Sequence, residues 1–147
     1  MIRMKKVLII VLLVVVGIQF VPMNVPAEVP TKAEDELEAP EEVLAILKRS
    51  CFDCHSNHTT FPWYSSVAPV SWFTKMHVEE GREHMNFSTW ANYDDDKKAG
   101  YLDKIPKAIK SKMPLPSYLI MHADAKLSDA DKKVLTDWAT EAAFELE

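Results

Sequence analysis

Glycine and clustered basic residues are scarce in this chain. Of 147 residues only three are glycine, and no Gly-rich phosphate-binding loop is present. The net charge is −5, and Lys and Arg form no run beyond the first six residues. Nucleic-acid binding depends on clustered Lys and Arg. These absences therefore argue against nucleotide-dependent chemistry and against a nucleic-acid partner.

Cysteine occurs only twice, within the sequence Cys51-Phe52-Asp53-Cys54-His55. This C-x-x-C-H spacing is the attachment motif of c-type haem. Each cysteine can form a thioether to one vinyl group of the same porphyrin, and the adjacent histidine can then bind the iron. We therefore predict one covalently bound haem c, held by Cys51 and Cys54, with His55 as the proximal iron ligand.

The sequence leaves three other uses of the two cysteines open. A thioredoxin-type dithiol would need a βαβ context and a depressed thiolate pKa, and no strand pattern surrounds the motif. A structural disulfide is the second alternative. The third is a zinc site, which usually has four ligands. Besides the cysteines and His55 or His58, it would need a distant ligand such as His77, His84 or His122.

The N-terminus has the pattern of an exported protein. Basic residues within the first six positions precede an apolar run over residues 7–19. This pattern predicts a signal peptide over residues 1–24, with Val25-Pro26-Ala27 as a cleavage site, or a retained membrane anchor at the lower length limit of a spanning helix. Either reading leads us to expect an exported domain in the periplasm or on the outer face of the cytoplasmic membrane. No cysteine stands directly after the apolar run, so a lipoprotein anchor is excluded.

The rest of the chain is predicted to be all-α. Residues 25–39, rich in Pro, Glu and Ala, are expected to form a tether, and residues 40–147 one helical domain. Apolar residues at helical spacing and capping signals predict its helices. The first helix follows Pro40 and delivers the motif, and the second begins at Val70 and is ended or bent by Gly81. A third begins at Asp94 and is kinked or divided by Pro106, and the last is capped by Ser128.

A methionine before a proline, Met113-Pro114, occupies the place where many small c-type cytochromes carry the second axial iron ligand. A thioether is soft and neutral, binds ferrous iron well and raises the reduction potential. Met113 is therefore the predicted distal ligand. His84 or His122 is the main alternative and would give a bis-histidine haem. Further rivals are Met76, Met121 and His77.

Large aromatic residues follow the motif. Trp63, Tyr64 and Trp72, together with Pro114, are predicted to form walls of the haem pocket, because a porphyrin is flat and apolar and because excluding water raises its potential. His84 and the segment 86–88 also look too specific for a spacer, and we expect them to shape the distal pocket or to bind a haem propionate.

In outline the sequence resembles class I c-type cytochromes. In detail it is similar to the haem-binding domain family of small exported proteins, over residues 40 to 140. This resemblance implies covalent haem at Cys51 and Cys54, with His55 and Met113 as axial ligands, in a small cytochrome c-like helical domain wrapped around one haem. The residues that carry it are Cys51-Phe52-Asp53-Cys54-His55-Ser56-Asn57, Trp63-Tyr64-Ser65, Ala68-Pro69-Val70-Ser71-Trp72, Gly81-Arg82-Glu83-His84, Asn86-Phe87-Ser88, Trp90, Met113-Pro114 and Leu127-Ser128.

Two functions are compatible with these residues. The first is electron transfer outside the cytoplasm between redox partner proteins, with possible attachment to the membrane through the N-terminal helix. It needs no catalytic acid or base, and no such pair is evident, which favours a carrier over an enzyme. The second is a haem-based sensor or peroxidase-like enzyme with an open or displaceable sixth iron position. His84 or His122, beside Arg82 or Glu83, would then act in the distal pocket.

Overall fold

The structure is a computed structural model that describes residues 2–26 and 28–146. Within these ranges the protein is all-α, and the only extended pairing is an isolated antiparallel bridge between Glu28 and His58. The helices are α1 (Ile2–Ile18), α2 (Glu41–Ser50), α3 (Phe52–His55), α4 (Val70–His84), α5 (Asp95–Leu102), α6 (Ile105–Ser111), α7 (Pro116–Leu119) and α8 (Asp129–Phe144). Short 3₁₀ turns lie at Ala33–Asp35, Trp63–Ser66, Phe87–Asn92 and Ala123–Ala125.

Helix α2 forms where the sequence predicts it. Pro40 stands at its N-cap, two glutamates occupy the first turn, and Lys48 and Arg49 occupy the last. This arrangement complements the helix dipole. The buried residues Val43, Ile46 and Leu47 lie on one face at helical spacing. The helix is thereby packed against the core at the point where the C-x-x-C-H motif begins.

Helix α8 closes the domain. The Ser128 hydroxyl accepts a hydrogen bond from the Asp131 amide, and the Asp131 side chain accepts one from the Ser128 amide, which is a complete capping box. Leu135 and Ala139 are fully buried, and α8 packs against α2, α5 and α6. Arg49 of α2 donates to Asp131 at 2.9 Å. The first and last helices of the domain therefore meet, and the predicted cap at Ser128 is confirmed.

Two expectations for the middle of the chain have different outcomes. The predicted division at Pro106 is confirmed, since α5 ends at Leu102 and α6 begins at Ile105 with a proline in its first turn. The expectation that the helix ends at Gly81 is wrong, because α4 continues to His84. This glycine serves close packing instead, as described below.

Residues 25–39 were expected to be a tether, but their described part packs on the domain. The Leu37 side chain is buried in the core, and its amide donates to the Phe87 carbonyl at 2.8 Å. The Glu36 carboxylate contacts the His58 ring at 2.5 Å. Burial of one apolar side chain, Leu37, thus fixes a segment whose polar, proline-rich composition predicts a flexible tether. Ala27, the last residue of the predicted cleavage site, lies outside the described residues.

Helix α1 is apolar, and its apolar side chains are largely exposed. Across the residues that the structure describes, none of the helices has both the length and the apolar character required to cross a membrane.

Candidate functional site

A cavity of about 700 Å³ opens beside the C-x-x-C-H motif. This volume lies within the range of small-molecule and cofactor sites, roughly 300–1,000 Å³. Residues from α2 to α6, from the turn after α4 and from the loop before α7 line it, together with Leu135 of α8. Both cysteines and the motif histidine are among the lining residues.

Local helix geometry brings the three motif residues together. The amides of Cys54 and His55 both donate to the Cys51 carbonyl, at 3.2 and 2.9 Å, which closes the short helix α3. Residues three and four apart in such a turn share one face. Cys51, Cys54 and His55 therefore all line the same cavity, and both cysteines are free thiols.

The His55 imidazole is held in one orientation. Its Nδ1 lies 3.0 Å from the Met85 carbonyl oxygen, which can only accept, so Nδ1 carries the proton and donates. Burial lowers the pKa of His55, which favours the neutral imidazole. A neutral ring with Nδ1 bonded to a backbone carbonyl leaves Nε2 as its metal-binding atom. This is the state that an iron ligand requires.

The alternatives to haem are weakened by the same residues. Burial raises the pKa of the Cys51 thiol to about 12 and that of Cys54 to about 11. A reactive thioredoxin-type dithiol needs the opposite shift. A zinc site would need further ligands nearby, and the described part of the chain contains no group of three or more His, Cys, Asp or Glu residues placed to hold a metal ion.

Helix α4 touches the backbone of the motif at Gly81. A Cβ atom built on this glycine would stand 2.9 Å from the Cys54 carbonyl carbon and 3.1 Å from the Cys54 Cβ. Only glycine permits such an approach between the helix and the backbone. Gly81 therefore sets how closely α4 covers the turn that carries Cys54 and His55.

Met113 and Pro114 also line the cavity. The Met113 amide donates to the Ala108 carbonyl at 2.9 Å, which places the residue directly after α6. A further tie follows a few residues later, where the Tyr118 hydroxyl donates to Asp53 Oδ2 at 2.7 Å. Since Asp53 lies between the two cysteines, this bond fixes the Met113 loop to the motif itself.

The other predicted ligands divide into two groups. His84 lines the cavity and packs edge-to-face on Tyr101, with ring centroids 6.2 Å apart. His77 also contributes to the lining. His122 does not, because its ring stacks on Tyr118 at a centroid distance of 4.0 Å. The remaining rivals of Met113, which are Met76 and Met121, also lie outside the lining.

The aromatic residues predicted as pocket walls are not brought to the cavity. Trp63, Tyr64 and Trp72 are absent from its lining, and Pro114 alone of that predicted set is present. Trp63 is 76% exposed, and Trp72 donates through Nε1 to the Val21 carbonyl. A long-range contact with the N-terminal segment thus directs Trp72 away from the cavity, and Tyr64 packs on His122 instead. The sequence of the loop reveals neither contact.

The apolar wall combines Phe87, from the segment 86–88 that was expected to shape the pocket, with aliphatic residues that the sequence indicates only as ordinary core. Phe87 stacks on Phe52 with ring centroids 5.4 Å apart and faces the cavity. Aliphatic residues from three helices, α2, α6 and α8, complete the wall, namely Leu47, Ile105, Ile109 and Leu135. Their helical periodicity indicates burial, but it cannot distinguish a side chain that packs on protein from one that lines a cavity.

Asn86 and Ser88 serve the structure rather than the cavity. The side-chain Nδ2 of Asn86 donates to Asn57 Oδ1 at 2.8 Å, and Asn86 Oδ1 accepts from the backbone N–H of Ser88. The Ser88 hydroxyl in turn accepts from the backbone N–H of Asn57 at 3.0 Å. All three side chains are buried. The predicted contact of this segment with a haem propionate is thus unsupported for Asn86 and Ser88, whereas His84 and Phe87 do shape the cavity.

A model of the haem-binding domain family matches residues 13–141. The chain belongs to the haem-binding domain family. No curated protein and no solved structure matches it. The site fits the group that the family name specifies, because one cavity of sufficient volume presents two free thiols, a neutral imidazole and an apolar wall. In this haem-binding domain, Cys51 and Cys54 have the spacing of a c-type haem motif.

Proposed function

We propose that the protein is a monohaem c-type cytochrome that transfers electrons outside the cytoplasm. Cys51 and Cys54 would hold the haem covalently, and His55 would bind its iron on one side. The observation that carries the proposal is that these three residues and Met113 line one cavity. A bound haem would accept and release one electron without any bond being made or broken. The residues around it therefore need only bind the haem, orient it and exclude water from it.

Met113 is the proposed second axial ligand. The Tyr118–Asp53 hydrogen bond at 2.7 Å restrains the loop that carries it. Burial, followed by the bond to Asp53, raises the pKa of the Tyr118 hydroxyl, so this donor keeps its proton at physiological pH. A thioether held in place would give a six-coordinate site with a high potential, which suits an electron carrier better than a catalyst.

The residues that a haem enzyme would need in its distal pocket do not all line the cavity. Arg82 donates through Nε to the Ser56 carbonyl and through Nη2 to the Thr59 hydroxyl, both at 2.8 Å, and it is absent from the cavity lining. His84 and Glu83 do line the cavity. His84 therefore remains the rival to Met113 as distal ligand, and the two assignments predict different spectra.

The test is expression of the full chain with haem c maturation machinery, followed by haem staining of a denaturing gel. Covalent haem is expected in the wild type and is expected to be lost when both Cys51 and Cys54 are replaced by serine. Absence of covalent haem from the wild-type protein would refute the proposal.

Spectra and potentials of variants then identify the distal ligand. Met113→Ala is expected to abolish the weak far-red band of ferric thioether-ligated haem and to lower the potential. His84→Ala should leave both unchanged, as should His122→Ala, a control outside the cavity. Loss of the low-spin spectrum in His84→Ala, with Met113→Ala unaffected, would assign the ligand to His84 instead.

A further inference from the structure

Two stretches without charged residues meet on the surface of this protein. In a chain with 27% charged residues, positions 7–27 and 59–74 contain no Asp, Glu, Lys, Arg or His. Gln19, just after α1, joins the two stretches, because its Nε2 donates to the Ala68 carbonyl and its Oε1 accepts from the Ala68 amide, both at 3.0 Å. Trp72 Nε1 donates to the Val21 carbonyl at 3.2 Å.

Large apolar side chains in these two stretches are exposed. Phe20 is 81% exposed, Trp63 76% and Phe73 60%. Val21, Val67 and Val70 are about half exposed. We call these six residues the junction surface. Val70 and Phe73 share one face of α4 at a spacing of three residues, and Val67 lies next to Ala68, the partner of Gln19. Exposed apolar clusters of this kind mark sites that bind a protein partner or a membrane.

We propose that the junction surface rests in the headgroup–acyl boundary of a phospholipid bilayer. The surface continues from α1, in which residues 7–16 are all apolar and exposed. Helices of that composition are stable when lipid or protein covers them. Tryptophan favours the boundary between membrane and water. The proposal needs no helix that crosses the membrane, because apolar surface can enter one leaflet from the side.

The first charged residue after the second stretch also fits this placement. Lys75, which directly follows the uncharged stretch 59–74, donates through Nζ to the Met23 carbonyl at 2.6 Å. Its aliphatic stem can pass along apolar surface while its amine stays at the polar level. Because the junction surface itself has no charge, we expect its contact to be as strong on neutral phosphatidylcholine as on anionic lipid.

The cavity of the proposed haem lies apart from this surface, since none of the six residues lines it. Charged residues that do line the cavity include Glu80, Glu83, Lys104 and Lys112. The proposal therefore goes beyond electron transfer and stands or falls independently of covalent haem. The family match begins at residue 13, inside α1, so it includes the segment that joins α1 to the domain.

The test uses the full chain in phosphatidylcholine vesicles with and without bromine on the upper acyl chain, and it measures tryptophan emission. The ratio between the two vesicle types cancels any constant quenching by a bound haem. Bromine is expected to reduce the emission of the wild type. Trp63→Phe should lose most of this bromine-dependent reduction. Trp138→Phe, a control in α8, should keep it.

A second pair of variants tests the surface without changing a tryptophan. Phe73→Asp places a charge on the junction surface and should weaken quenching by bromine. Phe144→Asp changes a residue of similar exposure, 78%, on α8 and should not. Unchanged quenching in both Trp63→Phe and Phe73→Asp, with native far-UV circular dichroism, would overturn the proposal. The junction surface would then be left for a protein partner.

Discussion

Replacing Gly81 by alanine tests how closely α4 approaches the cysteine motif. In an exposed helix interior, alanine in place of glycine stabilises a protein by about 0.5–1 kcal/mol. At Gly81 the new methyl group would stand 2.9 Å from the carbonyl carbon of Cys54, a backbone atom that cannot rotate away. Overpacking of this kind costs about 1–3 kcal/mol. We therefore expect a net loss of up to about 2.5 kcal/mol in the free energy of unfolding.

Gly100 is the matched control. It lies within α5, and a Cβ atom placed there meets nothing within 4 Å. Gly100→Ala should gain about 0.5–1 kcal/mol, so the two substitutions should change stability in opposite directions. Denaturant titration of both variants, followed by far-UV circular dichroism, gives the comparison. A stabilised Gly81→Ala would refute the tight contact between α4 and Cys54.

Three further predictions concern stability. Asn57→Ala leaves the buried Asn86 amide without its acceptor and should cost about 1–3 kcal/mol in denaturant titration. Leu135→Ala empties a fully buried position and should cost about 2–5 kcal/mol by the same assay; a loss below about 1 kcal/mol would mean that the site is loosely packed. Hydrogen bonds from Ser128 hold the pKa of Asp131 below its usual value. The stability advantage of wild type over Asp131→Asn should therefore be complete above about pH 4 and should fall as the pH drops through the lowered pKa. Unfolding titrations between neutral and acidic pH test this, and a constant difference would contradict it.

Local signals in the sequence predict the parts of the site that local geometry builds. The spacing of Cys51, Cys54 and His55 determines their common face, because one helical turn places residues three and four apart side by side. Capping residues such as Ser128 locate a helix start for the same reason, since their hydrogen bonds reach only a few positions along the chain.

Long-range contacts determine the rest, and the sequence does not reveal them. Trp72 was expected at the cavity, but its indole binds a carbonyl of the N-terminal segment. Leu37 packs in the core although its neighbours are polar. The carbonyl partner of His55 belongs to Met85, at the end of α4 and far from the motif in sequence. In each case a residue distant along the chain decides where the side chain goes.

Helix α4 links the junction surface to the cavity. Val70 lies at its first position, and Gly81, against Cys54, lies eleven residues later, an axial distance of about 16 Å. With the junction surface in a bilayer, a rigid spacer of that length limits how high above the lipid the cysteine motif can stand. A redox partner would have to present its own centre within the same shallow layer, which favours partners that are themselves embedded in or seated on the membrane.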